Sequence, residues 1–148
     1  MIRPATMADA DVIRACTRAA FGRYVVRMNR EPAPMQADLA PAIAQGQVHV
    51  ATGPDGCILG HVICRRVGRD MALDTLAVWP NHAGRGLGKR LVAHVETLAR
   101  QQGLKAVTLY TNAAMVENLP FYEGLGYSCT GRNREDGFDR VFFRKPLG

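Results

Sequence analysis

The stretch from residue 71 to residue 111 constrains the fold most. A nearly unbroken apolar run, Met71 to Trp79, is interrupted only by Asp74 and Thr75 and stops at Pro80. The glycine-rich segment Ala83-Gly84-Arg85-Gly86-Leu87-Gly88-Lys89 comes next. Leu87, Leu91, Val92, Val95, Leu98 and Ala99 then recur at the spacing of one helical face, and Gly103 closes the helix. Ala106 to Tyr110 reads as a second apolar strand. Strand, glycine turn, amphipathic helix and strand together predict a right-handed βαβ unit with parallel strands. A run as apolar as 71–79 predicts a strand buried on both faces.

The flanking sequence fills in around this unit. Ile2 to Ala5 predicts an opening strand, and Thr6 with Asp9 resembles a capping box ahead of a helix over 8–21. Gly22 to Pro34 reads as irregular, and a second helix is expected from Pro34 to Gln45, stopped by Gly46. Val48 to Ala51 and Ile58 to Cys64 flank Gly53-Pro54-Asp55-Gly56, a hairpin turn. Val116 to Glu123 predicts a short helix, and Val141 to Phe143 lies in a final strand after a turn at Asp136-Gly137. The order is β-α-α-β-β-β-α-β-α-β-β, an α/β (α+β) mixed sheet with helices on both faces. At 148 residues and 47% hydrophobic content, one domain over 1–148 is expected.

The glycine segment carries the chemistry. Glycines let the backbone turn tightly and approach a ligand, and a helix N-terminus offers unpaired N–H groups and partial positive charge. Arg85, Lys89 and Arg90 add cations at that end, which suits a small polyphosphate. A nucleotide P-loop fails here, because Ala83 stands at its first glycine and Arg90 at its magnesium-holding Ser or Thr. A dinucleotide fingerprint fails as well, with Lys89 at the third glycine and no acid after the following strand. A glycine-rich turn without a ligand is the plain alternative. The net charge of +6 admits nucleic acid, but the arginines are dispersed and no aromatic-rich strand accompanies them. Cys16, Cys57, Cys64 and Cys129 lack metal-ligand spacing, so no metal is expected. Cys16 and Cys64 fall in apolar patterns and read as small buried hydrophobes.

From Leu76 to Leu91 the chain resembles the coenzyme A-binding motif of the GCN5-related N-acetyltransferase (GNAT) superfamily: an apolar strand, a proline, then Q/R-x-x-G-x-G/A opening a helix. Gly86 and Gly88 match the motif glycines, and Ala83 departs from its first position. A second segment, Thr111-Asn112 followed by Glu117-Asn118-Leu119-Pro120-Phe121-Tyr122-Glu123-Gly124-Leu125-Gly126-Tyr127, is similar to the family's "TN…EN…FYEKLGF". The opening Ile2-Arg3-Pro4-Ala5-Thr6 also matches, and the element order agrees over nearly the whole length.

The resemblance implies acetyl transfer from acetyl-CoA to a primary amine by direct attack. It places the coenzyme on the backbone of Leu76, Ala77 and Val78, on the loop Ala83, Gly84, Arg85, Gly86, Leu87, Gly88 and Lys89, and on Asn112, Asn118 and Tyr122. It makes Tyr122 the general acid for the departing thiolate. A phenol with pKa ~10 is protonated at neutral pH and only slightly less acidic than a thiol. Asp74 is the candidate base, as the only acid in the strand before the loop and in parity with Leu76 and Val78. Each has a competing structural reading: an aromatic packing residue for Tyr122, a strand-end or hydrogen-bonding carboxylate for Asp74, a helix-surface side chain for Asn118. His49, His61, His82 and His94 lack a partner acid at useful spacing and read as structural or solvent-facing.

Acceptor specificity is expected from loops 22–34 and 131–138, with Tyr24, Met28, Asn29 and Glu31 as candidate contacts. Both loops mix charge signs, so neither dictates a substrate charge. The rival to an enzyme is a non-catalytic acyl-CoA-binding sensor. No apolar run approaches the ~18 residues of a membrane span. The opening residues also lack the apolar core of a secretory leader. A cytoplasmic protein is expected, without nucleic-acid or membrane partners, and with a homodimer as the default assembly.

Overall fold

The first strand, β1 (Ile2–Pro4), runs into a 3-10 turn at Met7–Asp9. The Asp9 carboxylate folds back to accept from the Thr6 N–H at 2.8 Å and takes two hydrogen bonds from the Arg3 guanidinium. Arg3, more than the turn, lowers the Asp9 carboxyl to about 2. Helix α1 (Ala10–Met28) follows. The computed structural model describes every residue except Asn29, Arg30, Pro32, Ala37 and Asp136, and only the backbone of Val26, Ala33 and Gln36. The remaining elements are α2 (Leu39–Ala44), β2 (Val48–Thr52), β3 (Ile58–Val67), β4 (Asp70–Val78), α3 (Leu87–Gln101), β5 (Ala106–Asn112), α4 (Asn118–Gly124), β6 (Ser128–Glu135) and β7 (Phe138–Pro146). This is the expected order, in a seven-stranded mixed sheet arranged β1-β2-β3-β4-β5-β7-β6.

Four expectations need correction. Helix α1 continues past residue 21, because Gly22 has no positive φ and the turn after it buries Tyr24. The helix expected over 34–45 is two pieces, a 3-10 turn at Ala33–Gln36 and α2, which Asp38 restarts by accepting from the Ala40 N–H at 3.2 Å. Strand β4 is not buried on both faces: Met71, Leu73, Thr75 and Ala77 are buried, and the residues between them are partly exposed. Residues 131–138 are not an extended loop. They belong almost wholly to the β6–β7 hairpin, which Gly137 closes at φ +80°.

The chain divides into two compact units. The first comprises Met1–Cys64 and Asp74–His94. In it, β1 pairs antiparallel with β2, and β2 pairs antiparallel with β3 as the hairpin turn predicts. Ile13 of α1 and Leu39 and Ile43 of α2 pack on Val48, Val50 and Ile63. His49, which alternates with those valines, meets His94 of α3 on the opposite face, with ring centroids 5.0 Å apart. Helices thus cover both faces of this unit's strands.

The second unit comprises Arg65–Leu73 and Val95–Gly148. Its β4 segment pairs in parallel with β5 from Asp70–Ala106 to Leu73–Leu109, the pairing the βαβ pattern predicts. β5 pairs antiparallel with β7, and β7 with β6. Tyr127 donates to Glu96 at 2.9 Å, and Lys145 meets the same carboxylate at 3.1 Å. Burial and that carboxylate push the Tyr127 phenol well above its ordinary pKa. A carboxylate held by two partners is a satisfied structural group.

Candidate functional site

In the first unit, Pro80–His82 form a 3-10 turn and Ala83 is extended. Gly84 and Gly86 then take φ +80° and +78°, conformations that favour glycine. A Cβ at either position would meet nothing within 4 Å, so the torsion angle, not crowding, requires glycine. Leu87 is buried and anchors the start of α3, while Arg85, Lys89 and Arg90 are exposed and make no ion pair among the described residues. The Arg90 N–H donates to the Gly86 carbonyl at 3.1 Å. The amides of Leu87, Gly88 and Lys89 precede that bond and have no carbonyl one turn back. Amides without a carbonyl partner in the helix, a helix N-terminus and three exposed cations fit a polyphosphate group.

Strand β4 enters this loop. Asp74, Leu76 and Val78 leave one face and Thr75 and Ala77 the other, the parity the sequence predicts. The close approach of Gly60 pins the end of the strand. A Cβ on Gly60 would lie 2.7 Å from the Ala77 carbonyl oxygen and 3.2 Å from the Val78 Cα. The Trp79 N–H donates to Leu59 at 3.0 Å. Burial, and secondarily the Asp74 charge, raise the Cys64 thiol to about 11. Burial alone raises Cys16 to about 12. Both are inert thiols at neutral pH.

Among the acceptor candidates, Tyr24 lies on α1 and not in a loop. It is 3% exposed, with its hydroxyl 2.8 Å from Arg23 Nη2 and the guanidiniums of Arg23 and Arg27 at 4.8 and 5.3 Å from its ring. Met28 ends the helix half-buried and Glu31 is exposed. Asn29 lies outside the described residues, as does Asp136.

The second unit holds the other candidates. Asn112 ends β5, and its side chain accepts from the Ala114 N–H at 2.9 Å. Asn118 opens α4 and donates to Thr111 Oγ1 at 3.1 Å. Tyr122 is buried on α4, its ring edge-on to Phe121 and Tyr127 and tilted to Phe143, with centroids 5.0 to 6.0 Å away. Within this unit the asparagines converge on the turn after β5, where the Met115 N–H returns to the Asn112 carbonyl and the Asn118 N–H to Met115. The candidates are thus shared between the units, with Asp74, Leu76–Val78 and residues 83–89 in the first, and Asn112, Asn118 and Tyr122 in the second.

Of the histidines, His61 is fully buried with Nε2 at 3.2 Å from Thr17 Oγ1. The Thr17 hydroxyl donates to the Ile13 carbonyl at 3.0 Å, so it accepts from His61 and fixes the proton on Nε2. Burial lowers His61 to about 4. Sequence pattern could not show this partnership, which joins residues 44 apart. No three His, Cys, Asp or Glu side chains cluster as a metal set among the described residues. No described helix is long and apolar enough to cross a membrane.

The sequence pattern of the family described as "Acetyltransferase (GNAT) family" matches residues 13–127, well over half of the chain. The chain belongs to the GNAT family. Curated proteins similar to it include a probable N-acetyltransferase family 8 member 5 of Mus musculus, 36% identical over 67 residues, which are 45% of this chain and 30% of that protein. A peptidyl-lysine N-acetyltransferase, YjaB, of Salmonella typhimurium is 31% identical over 70 residues, covering 47% of this chain and 45% of that one. The chain therefore matches less than half the length of these relatives. The crystal structure of a PaiA N-acetyltransferase from Thermoplasma acidophilum, in complex with coenzyme A, superposes with a TM-score of 0.83 at 17% identity, covering 99% of this chain and 98% of that one. At that identity the likeness is one of fold, the GNAT fold.

Proposed function

We propose that this GNAT member transfers an acetyl group from acetyl-CoA to a primary amine of a small molecule or peptide. One observation carries the reading: β4 delivers a pair of left-handed glycines to the N-terminus of α3, beside three exposed cations. The amides from Gly84 to Lys89 hold the pyrophosphate, with Arg85 and Lys89 supplying mobile charge that offsets the side chain missing at Ala83. The backbone of Leu76, Ala77 and Val78 takes the pantetheine arm, and Asn112 and Asn118 take further coenzyme contacts. Acetyl-CoA, when bound, supplies the activated thioester.

The chain's own groups manage protons and charge. An alkyl ammonium with pKa near 10 must lose a proton before it attacks. The Asp74 carboxylate accepts that proton, directly or through water. The Val78 N–H donates to the thioester oxygen as negative charge gathers there. Tyr122 gives its phenolic proton to the leaving thiolate. The amine nitrogen gains the acetyl carbon, and the carbon–sulfur bond breaks. The similarity to YjaB, a peptidyl-lysine N-acetyltransferase, supports an amine acceptor as a class.

Free-thiol release from acetyl-CoA across a library of amines and peptides tests this. At least one acceptor should be turned over, and Tyr122→Phe should lower kcat at least tenfold while acetyl-CoA affinity stays within about twofold. Thiol release by no amine, with acetyl-CoA still bound, would leave a sensor module in place of the enzyme.

A further inference from the structure

A cavity of about 190 Å³ opens in the first unit between α1, the 3-10 turn at Ala33–Gln36, α2 and β3. That is the space of about six liquid waters, or of one amino acid. Its apolar wall is Met35, Leu39 and Ile63, and its other side is one face of α1, with Arg14, Thr17 and Arg18 at i, i+3 and i+4. The Thr17 hydroxyl is already engaged, donating to Ile13 and accepting from His61, so it has no proton to offer a ligand. The cavity's available donors are therefore the two guanidiniums.

Their charge is poorly balanced. Among the described residues Arg14 makes one ion pair, with Asp11 at 3.3 Å; the Asp11 side chain is fully exposed and that of Arg14 is 42% exposed, so water screens the pair. Arg18 makes no ion pair among the described residues. Two like charges one helical turn apart repel weakly where both reach solvent, and an anion between them relieves that repulsion while taking charge-assisted hydrogen bonds from both. Guanidinium planes suit a carboxylate in particular, through paired N–H donors. An apolar wall facing a cationic edge, in a volume this small, selects a ligand with an apolar tail and one carboxylate.

We infer that this cavity binds the carboxylate end of an amino-acid-sized amphipathic acid, and that such a compound, bearing a free amine, is the acetyl acceptor. The second half rests on the acetyltransferase reading above; the first half does not. Arg14 and Arg18 then determine specificity, a task the family resemblance assigns to loops 22–34 and 131–138.

Calorimetric titration without acetyl-CoA tests the first half. The probes are 4-methylpentanoate, L-leucine and the corresponding amides, against wild type, Arg14→Gln, Arg18→Gln and Arg18→Lys, with circular dichroism confirming the fold. Saturable binding of the two carboxylates is expected, at least tenfold tighter than their amides. Either glutamine variant should weaken it at least tenfold, and Arg18→Lys should weaken it less. Amides binding as well as acids, no carboxylate binding, or glutamine variants at wild-type affinity would overturn the site.

Thiol release tests the second half. Leucine should be acetylated with a KM raised at least tenfold in Arg18→Gln and kcat little changed. Carboxylate binding without acetylation of leucine, in an enzyme that acetylates other amines, would overturn the acceptor role. Failure on every amine would instead strike the acetyltransferase reading and leave the carboxylate site standing.

Discussion

His61 shows what a single buried side chain does to stability. Its folded pKa, lowered from 6.5 to about 4, means that the unfolded chain binds a proton which the folded chain refuses. The stabilisation is complete above pH 6.5 and falls away between 6.5 and about 4, by on the order of 3 kcal/mol. Burial lowers His49, helped by the neighbouring His94, and lowers His94 as well, so their contributions also begin to fall as the pH drops below the ordinary histidine value. Denaturant melts from pH 7 to 4.5 should show stability falling with acid, and a shallower fall in His61→Gln. Equal slopes would place the proton uptake elsewhere. At this scale the sequence was only partly legible. The parity of Asp74 with Leu76 and Val78 follows from strand geometry, and the structure has it. The pairing of Thr17 with His61, the Arg23–Tyr24–Arg27 stack and the Glu96–Tyr127–Lys145 cluster arise from tertiary packing or rotamer choice, which no local pattern encodes.

Two glycines, alike in a sequence, act oppositely in their elements. Gly22 sits inside α1 with open space where a Cβ would stand, so Gly22→Ala should stabilise the protein by about 0.5–1 kcal/mol. Gly60 sits where β3 meets the Ala77 carbonyl, so Gly60→Ala should destabilise by about 1–3 kcal/mol. It should also weaken acetyl-CoA binding, since it displaces the backbone of Ala77 and Val78. Thermal melts and a coenzyme titration check both, and a neutral Gly60→Ala would show that the close approach does not constrain β4. Helix α1 has an end that local pattern does not mark. Its apolar residues are not confined to one face, and Gly22 resembles a stop until Tyr24 is seen to be buried. By contrast α3, with a clean apolar face and a glycine at each end, was readable over nearly its full length.

For the whole molecule, element order and the parallel β4–β5 pairing were legible because the βαβ pattern admits few topologies. The last two strands and the turn at Asp136-Gly137 belong to that order, but the extent of β6 through residues 131–135 was not legible, because every residue of β6 is exposed and an exposed strand carries no apolar alternation. The glycine loop was recognisable because its backbone requirement is local: residues 84 and 86 need positive φ whatever surrounds them. The arginine-lined cavity needs several separate elements and stayed invisible until they were assembled. The central claim is that this loop binds the coenzyme, and calorimetric titration of acetyl-CoA into wild type and Gly86→Val reads it most directly. One-to-one saturable binding, weakened at least tenfold by the valine in a folded variant, is the predicted result. Absence of binding to wild type, or equal binding by the folded variant, would contradict it.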